Sequence, residues 1–169
     1  MEVGITLLTV FVLSLFIIKL TRKTYRFALS ARIAMSSMLV LTAMGHFMFT
    51  KGMVMMMPPF IPFKTELVYF TGFVEIAAAM GLLLPGLRVL TGWLLIVFFI
   101  LILPVNIYAA MHQVDMVTAT FSGDGLHYLW YRIPLQLFFI GWIYLSAIKA
   151  KNPRLLSITS NMQIFKKNK

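Results

Sequence analysis

The sequence predicts an all-α integral membrane protein: a four-helix transmembrane bundle preceded by one extra amino-terminal transmembrane helix. Three observations carry this prediction. They are five apolar runs of spanning length, a composition 60% hydrophobic with a mean hydropathy of +0.90, and a separation of charge across the runs. At about 1.5 Å of rise per residue, roughly 20 apolar residues cross a hydrocarbon core of about 30 Å. Val3–Leu20, Ala31–Phe49, Leu67–Leu84, Val89–Ala110 and Leu129–Ile148 are of that order of length. Lys19, Arg22, Lys23, Arg26 and Arg32 crowd the first connection, Arg88 sits in the third, and Lys149, Lys151, Arg154, Lys166, Lys167 and Lys169 fill the tail. Alternating spans bring all of these to one face. The other face receives Glu2, Lys51, Lys64, Glu66, Asp115 and Asp124, so the positive-inside rule places the amino terminus outside and the carboxyl terminus in the cytoplasm.

With 169 residues the chain has room for one membrane domain and no second soluble one. We divide it into an anchor helix and basic turn over residues 1–30, a four-helix membrane domain over 31–148, and a basic cytoplasmic tail over 149–169. The formal net charge of +10 would suggest nucleic acid in a soluble protein; here the inside-facing segments account for it, so nucleic acid is set aside and the lipid bilayer is the expected partner. The chain has no cysteine, which excludes thiol–disulfide exchange, iron–sulfur clusters and thiolate metal sites.

The first run starts Met-Glu-Val-Gly with no basic region ahead of it and its positive cluster behind it, the pattern of a retained anchor and not of a cleaved signal peptide. Thr21–Ser30 reads as a cytoplasmic turn whose Ser30 caps the second span. In Thr50–Glu66, Pro58, Pro59 and Pro62 forbid a continuous helix while Met53, Met55, Met56, Met57, Phe60, Ile61 and Phe63 keep the segment apolar, so it should lie in the interface. Only Pro85-Gly86-Leu87-Arg88 separates the third and fourth spans, which makes them an antiparallel hairpin of neighbours. Met111–Tyr128 holds Asp115, Ser122, Gly123, Asp124 and Gly125, the residues of turns.

Few polar residues lie within the spans, and each needs a reason, since a charge near a helix centre costs on the order of 2.5 to 3.5 kcal/mol. Glu75 lies about eight residues from Leu67, with Gly72, Ala78 and Ala79 on its helical face; small residues let helices approach, so Glu75 should point into the bundle. Arg132 opens the fifth span with Tyr128 and Gln136 on its face, and we expect Glu75 and Arg132 to pair directly or through water. His46 lies in the last turn of the second span. Asn106 follows Pro104, whose ring removes the hydrogen bond to the Ile100 carbonyl and leaves an acceptor for a neighbouring polar group. Together His46, Glu75, Asn106, Arg132 and Gln136 are expected to form a polar pocket open to the outer side. The structural alternative is that the same residues serve as hydrogen-bonded helix adhesive.

The strings Ala43-Met44-Gly45-His46-Phe47, Met57-Pro58-Pro59-Phe60-Ile61-Pro62, Tyr69-Phe70-Thr71-Gly72-Phe73-Val74-Glu75-Ile76, Pro104-Val105-Asn106-Ile107 and Tyr131-Arg132-Ile133-Pro134-Leu135-Gln136 together resemble the DoxX-like family of small bacterial membrane proteins, from about Arg32 to Ile148. The resemblance implies a four-helix bundle in the bacterial cytoplasmic (inner) membrane and an association with redox roles, including quinone-linked subunits and partners that detoxify superoxide or transfer sulfur. By that likeness Gly72, Glu75, Pro104, Asn106, Arg132, Pro134 and Gln136 occupy characteristic positions, with Gly72, Pro104 and Pro134 serving helix packing or kinking. The extra first helix and Val105, where the pattern usually has alanine, depart from it.

Two functions compete. One is a redox-associated subunit that binds a quinone or similar lipophilic ligand, drawing electrons from a partner subunit because the chain holds no haem ligand pair at matching depth, dinucleotide fingerprint, flavin motif or thiol. The other is a non-catalytic scaffold or ligand-binding module whose Glu75–Arg132 pair is structural. Catalysis itself is left open. Transport ranks last because Leu82, Leu83, Leu84, Leu94, Leu95 and Ile96 leave the inner half without a polar path. A Cu(I) site in the methionine-rich loop is set aside, and no metal is expected, because methionine also serves as gap-filler at apolar surfaces.

Overall fold

The computed structural model describes residues 2–150; the basic tail beyond them lies outside the described residues. Six α-helices follow one another: α1 (Glu2–Arg22), α2 (Phe27–Met48), α3 (Thr50–Met55), α4 (Lys64–Leu83), α5 (Arg88–Met111) and α6 (His127–Ile143), the last continued by a π-helical turn, Tyr144–Ile148. Among the described residues there is no strand, only an isolated bridge between Asp115 and Thr120. Five helices are long and apolar enough to cross a membrane, so the all-α architecture with five spans stands.

The helix ends differ from expectation by a turn or less, and each difference has a local cause. Ser30 does not cap α2. The helix starts earlier, at Phe27, because the Leu29 and Ser30 amides already bond the Arg26 carbonyl, and no side chain caps it. Ser30 is instead fully buried, and its carbonyl lies 3.4 Å from the Ser14 hydroxyl of α1. The methionine-rich connection forms the short α3 before its prolines end it. The chain then re-enters the bundle through Phe63, whose φ of 49° is the left-handed region a bulky side chain seldom adopts. Lys64 holds this corner by donating to the Met57 carbonyl at 3.0 Å.

The most intimate helix pair is α2 with α4, followed by α1 with α2. The extra first helix is therefore part of the bundle wall: Leu7 is fully buried in the core with Met35, Leu39, Leu82, Leu95 and Ile143, and Phe11 meets the Trp142 ring edge-on at 4.9 Å. As predicted, α4 and α5 form a contacting hairpin, closed by bonds from the Leu87 and Arg88 amides to the Leu84 carbonyl. Most remaining apolar side chains on the long helices point outward, as a bilayer in place of water permits.

Outside the spans, Asp115 accepts bonds from the Val117 and Thr118 amides. The Val117 bond, then that of Thr118, holds its carboxyl below the usual carboxylate range. A depressed carboxyl stabilises its turn above its unfolded pKa and loses that contribution as pH falls through the folded one, so this loop weakens in acid. Gly52 of α3 lies flush against the Met116 backbone carbonyl, with no space for a Cβ. A Gly52→Ala variant should therefore lose about 1 to 3 kcal/mol of stability by overpacking. Gly86→Ala, with nothing within 4 Å of the added carbon, should unfold thermally in detergent within a degree or two of wild type.

Candidate functional site

Gly72 sets the geometry. A Cβ there would lie 3.0 Å from the His46 Cβ and 3.4 Å from the Phe47 ring, so its absence lets α4 lie close against α2. The approach brings His46 Nδ1 to 3.0 Å from the Val68 carbonyl and 3.1 Å from the Thr71 hydroxyl, which itself donates to the carbonyls of Leu67 or Val68. A carbonyl only accepts, so Nδ1 is the nitrogen that carries hydrogen. The second ring nitrogen, Nε2, faces Glu75 Oε1 at 3.6 Å.

His46 is two residues from the end of α2 while Glu75 is eleven from the start of α4, about 3 and 16 Å along the respective axes. For the two to meet, α4 must project beyond the end of α2, and α3 packs against α4. Thr71 and the Val68 carbonyl did not stand out in the sequence; the spacing Val68, Thr71, Gly72, Glu75 on one helical face was the available signal.

Across the bundle, Gln136 of α6 donates through Nε2 to the Phe99 carbonyl of α5. The Ile100 carbonyl freed by Pro104, expected to attract some neighbouring polar group, is not the one Gln136 bonds. Phe99 lies on the buried side of α5, 6.0 Å from the Phe139 ring, whereas Ile100 is 54% exposed on the outward side. Both Pro104 and Pro134 lie inside continuous helices. Asn106 is 1% exposed in α5, and Arg132 is half-buried in α6.

The direct form of the expected Glu75–Arg132 pair is not present: Glu75 Oε1 instead lies 3.6 Å from His46 Nε2. The cause is packing order. α4 lies chiefly against α2, while α6 lies chiefly against α5 and the π turn. What Glu75 and Arg132 share is a deficit. Of five buried side-chain atoms without a hydrogen-bond partner among the described residues, four are Glu75 Oε2, Asn106 Nδ2, Arg132 Nε and Gln136 Oε1, and the fifth is Ser30 Oγ. Two of the four can donate and two can accept. Two hollows, of about 360 and 230 Å³, are apolar: one is lined by Leu126, Leu129, Trp130, Ile133 and Pro134, the other runs along α4 and α5 from Val74 to Phe98, and neither is lined by these polar residues.

Among the described residues no group of three or more His, Asp or Glu is placed to hold a metal. In the methionine-rich segment Met57 is buried and Met53 reaches over Gly45, the packing role of an adaptable side chain.

The sequence pattern of a family described as a domain of unknown function, DUF8561, matches residues 35–147. Comparison with curated proteins and with solved structures returns no match.

The tautomer is directly measurable. In protein labelled with nitrogen-15 histidine, His46, assigned through His46→Asn, should keep its proton on Nδ1, and Glu75→Gln should alter Nε2 alone. A neutral ring protonated at Nε2 would contradict the arrangement.

Proposed function

The chain belongs to the DUF8561 family, and, that family's function being unknown, we propose from the residues themselves that it is a redox-associated membrane subunit whose enclosed polar set binds a quinone or similar small lipophilic ligand. The observation that carries this reading is the set of four buried, unpartnered atoms from Glu75, Asn106, Arg132 and Gln136. A purely structural latch would have them satisfy one another. Each left alone costs about 1 to 3 kcal/mol, which favours a partner that supplies both donor and acceptor. The carbonyl oxygens of a quinone accept from groups such as Asn106 Nδ2 and Arg132 Nε; its hydroxyls, once reduced, donate to groups such as Glu75 Oε2 and Gln136 Oε1. His46, its Nε2 3.6 Å from Glu75 Oε1, adds a side chain of the kind that serves in proton transfer.

The resemblance to DoxX-like proteins supports a redox setting, with electrons supplied by a partner subunit, and a bacterial inner membrane. The charge separation supports an outer amino terminus and a cytoplasmic carboxyl terminus. A second reading, a non-catalytic scaffold, is favoured by one observation: the Gln136 bond to Phe99 stitches α5 to α6.

Extraction of lipids from detergent-purified protein should yield bound quinone, identified by mass spectrometry. Glu75→Gln and Arg132→Gln should retain at most about a tenth of it, the equivalent of roughly 1.4 kcal/mol, with helicity unchanged. Absence of ligand from every sample, with both variants equally destabilised, would establish the scaffold instead. Orientation is separately testable because the chain has no native cysteine. A single cysteine at Thr118 should react with an impermeant maleimide in intact cells, and one at Lys23 only after permeabilisation.

A further inference from the structure

The end of the bundle formed by the close of α1, the starts of α2 and α5 and the π turn carries Lys19, Arg22, Lys23, Arg26, Arg32, Arg88 and Lys149 with no carboxylate among the described residues. Two of these cations differ from the rest. Arg32 is half-buried, with Nε donating to the Ala28 carbonyl of its own helix at 3.2 Å. Arg88, the first residue of α5, reaches through Nη2 to the Ala150 carbonyl at 3.3 Å, just past the π turn, and that turn packs on α2. Trp142 ties α6 to α2 beside them, its Nε1 donating to the Ala31 carbonyl at 2.9 Å. The π turn packs on both α2 and α5, which carry the two guanidiniums, and among the described residues neither has an acidic partner.

Two half-buried guanidiniums at one end of the bundle, each engaged by a main-chain carbonyl and neither by a carboxylate among the described residues, form a site that an anion completes. Each arginine spends one N–H on a carbonyl and keeps the rest of its fork, whose geometry suits phosphate oxygens. The helix starts add the same sign of potential: α2 and α5 both lack a side-chain cap and an acidic first turn. The surroundings are those of a lipid–water boundary. Tyr25 and Phe27 stack at 5.6 Å with Lys19 over the Tyr25 ring, and Leu87 and Leu90 are exposed on either side of Arg88.

We propose that Arg32 and Arg88 bracket the phosphate of an anionic phospholipid whose glycerol and first acyl carbons lie along Leu87 and Leu90. The site is independent of the quinone reading, being built from other residues at the opposite end of the bundle.

The test is native mass spectrometry of detergent-purified protein offered phosphatidylglycerol and phosphatidylcholine in equal amounts. Wild type should retain phosphatidylglycerol at least about fivefold more than phosphatidylcholine. The double variant Arg32→Gln, Arg88→Gln should bring that ratio near one. Arg22→Gln with Lys23→Gln, which removes two charges from the same end, should change it less than about twofold. Should the double glutamine variant fail to fold, Arg32→Lys with Arg88→Lys keeps the charge and loses the fork, and its preference should fall by half or more. Equal retention of both lipids, an equal loss in the Arg22 and Lys23 control, or an undiminished preference in the lysine variant would overturn the proposal. Displacement of the lipid by millimolar inorganic phosphate would reassign the site to the free anion and overturn it as well.

Discussion

The bundle is organised around the contact of two backbones. Where α4 crosses α2, Gly72 has no side chain to hold the helices apart, and the His46 ring fits into the space between Val68 and Glu75. In lipid, helices gain little from burying apolar surface against each other, so close approach and interhelical hydrogen bonds carry the association. At this crossing the same glycine supplies both. It shortens the distance between axes, and it brings a side-chain donor on one helix within reach of a main-chain acceptor on the other. The position of Glu75 follows from it.

A membrane interior also changes what an unpaired polar group means. In a soluble protein, water can enter and satisfy stray donors and acceptors; between apolar helices that relief is scarce and each stray atom remains expensive. Glu75, Asn106, Arg132 and Gln136 each leave one atom in that condition. They come from three different helices. Four such atoms in one bundle give the site reading its force, more than any one residue does.

The spans were legible because crossing a bilayer needs length and apolarity, both one-dimensional properties of a chain, and the charged ends were legible for the same reason. Glu75, Asn106 and Gln136 stood out as polar residues in apolar runs, and all three are buried. The partner of Glu75 was not legible. Arg132 was the obvious counter-ion by charge, but which helix lies beside α4 depends on packing order, and α2 takes that place through Gly72, a residue with no charge to advertise it. The Val68 and Phe99 carbonyls were hidden for a different reason: main-chain acceptors are identical at every position, so only coordinates single them out. Ser30 misled because a serine near a helix start can cap it or be swallowed by it, and the apolar Phe27, Ala28 and Leu29 ahead of it allowed the helix to begin one turn sooner.

The contacts of α1 span a long stretch of the polypeptide. Ser14 meets Ser30 of α2, the next helix to emerge from the ribosome, but Phe11 rests on Trp142 of α6, made four spans later. On entering the bilayer α1 therefore lacks part of its seat until α6 follows it. Whatever insertion machinery hands these helices to the membrane has to keep α1 nearby until α6 arrives. Closure of the wall then becomes a late, long-range event in biogenesis.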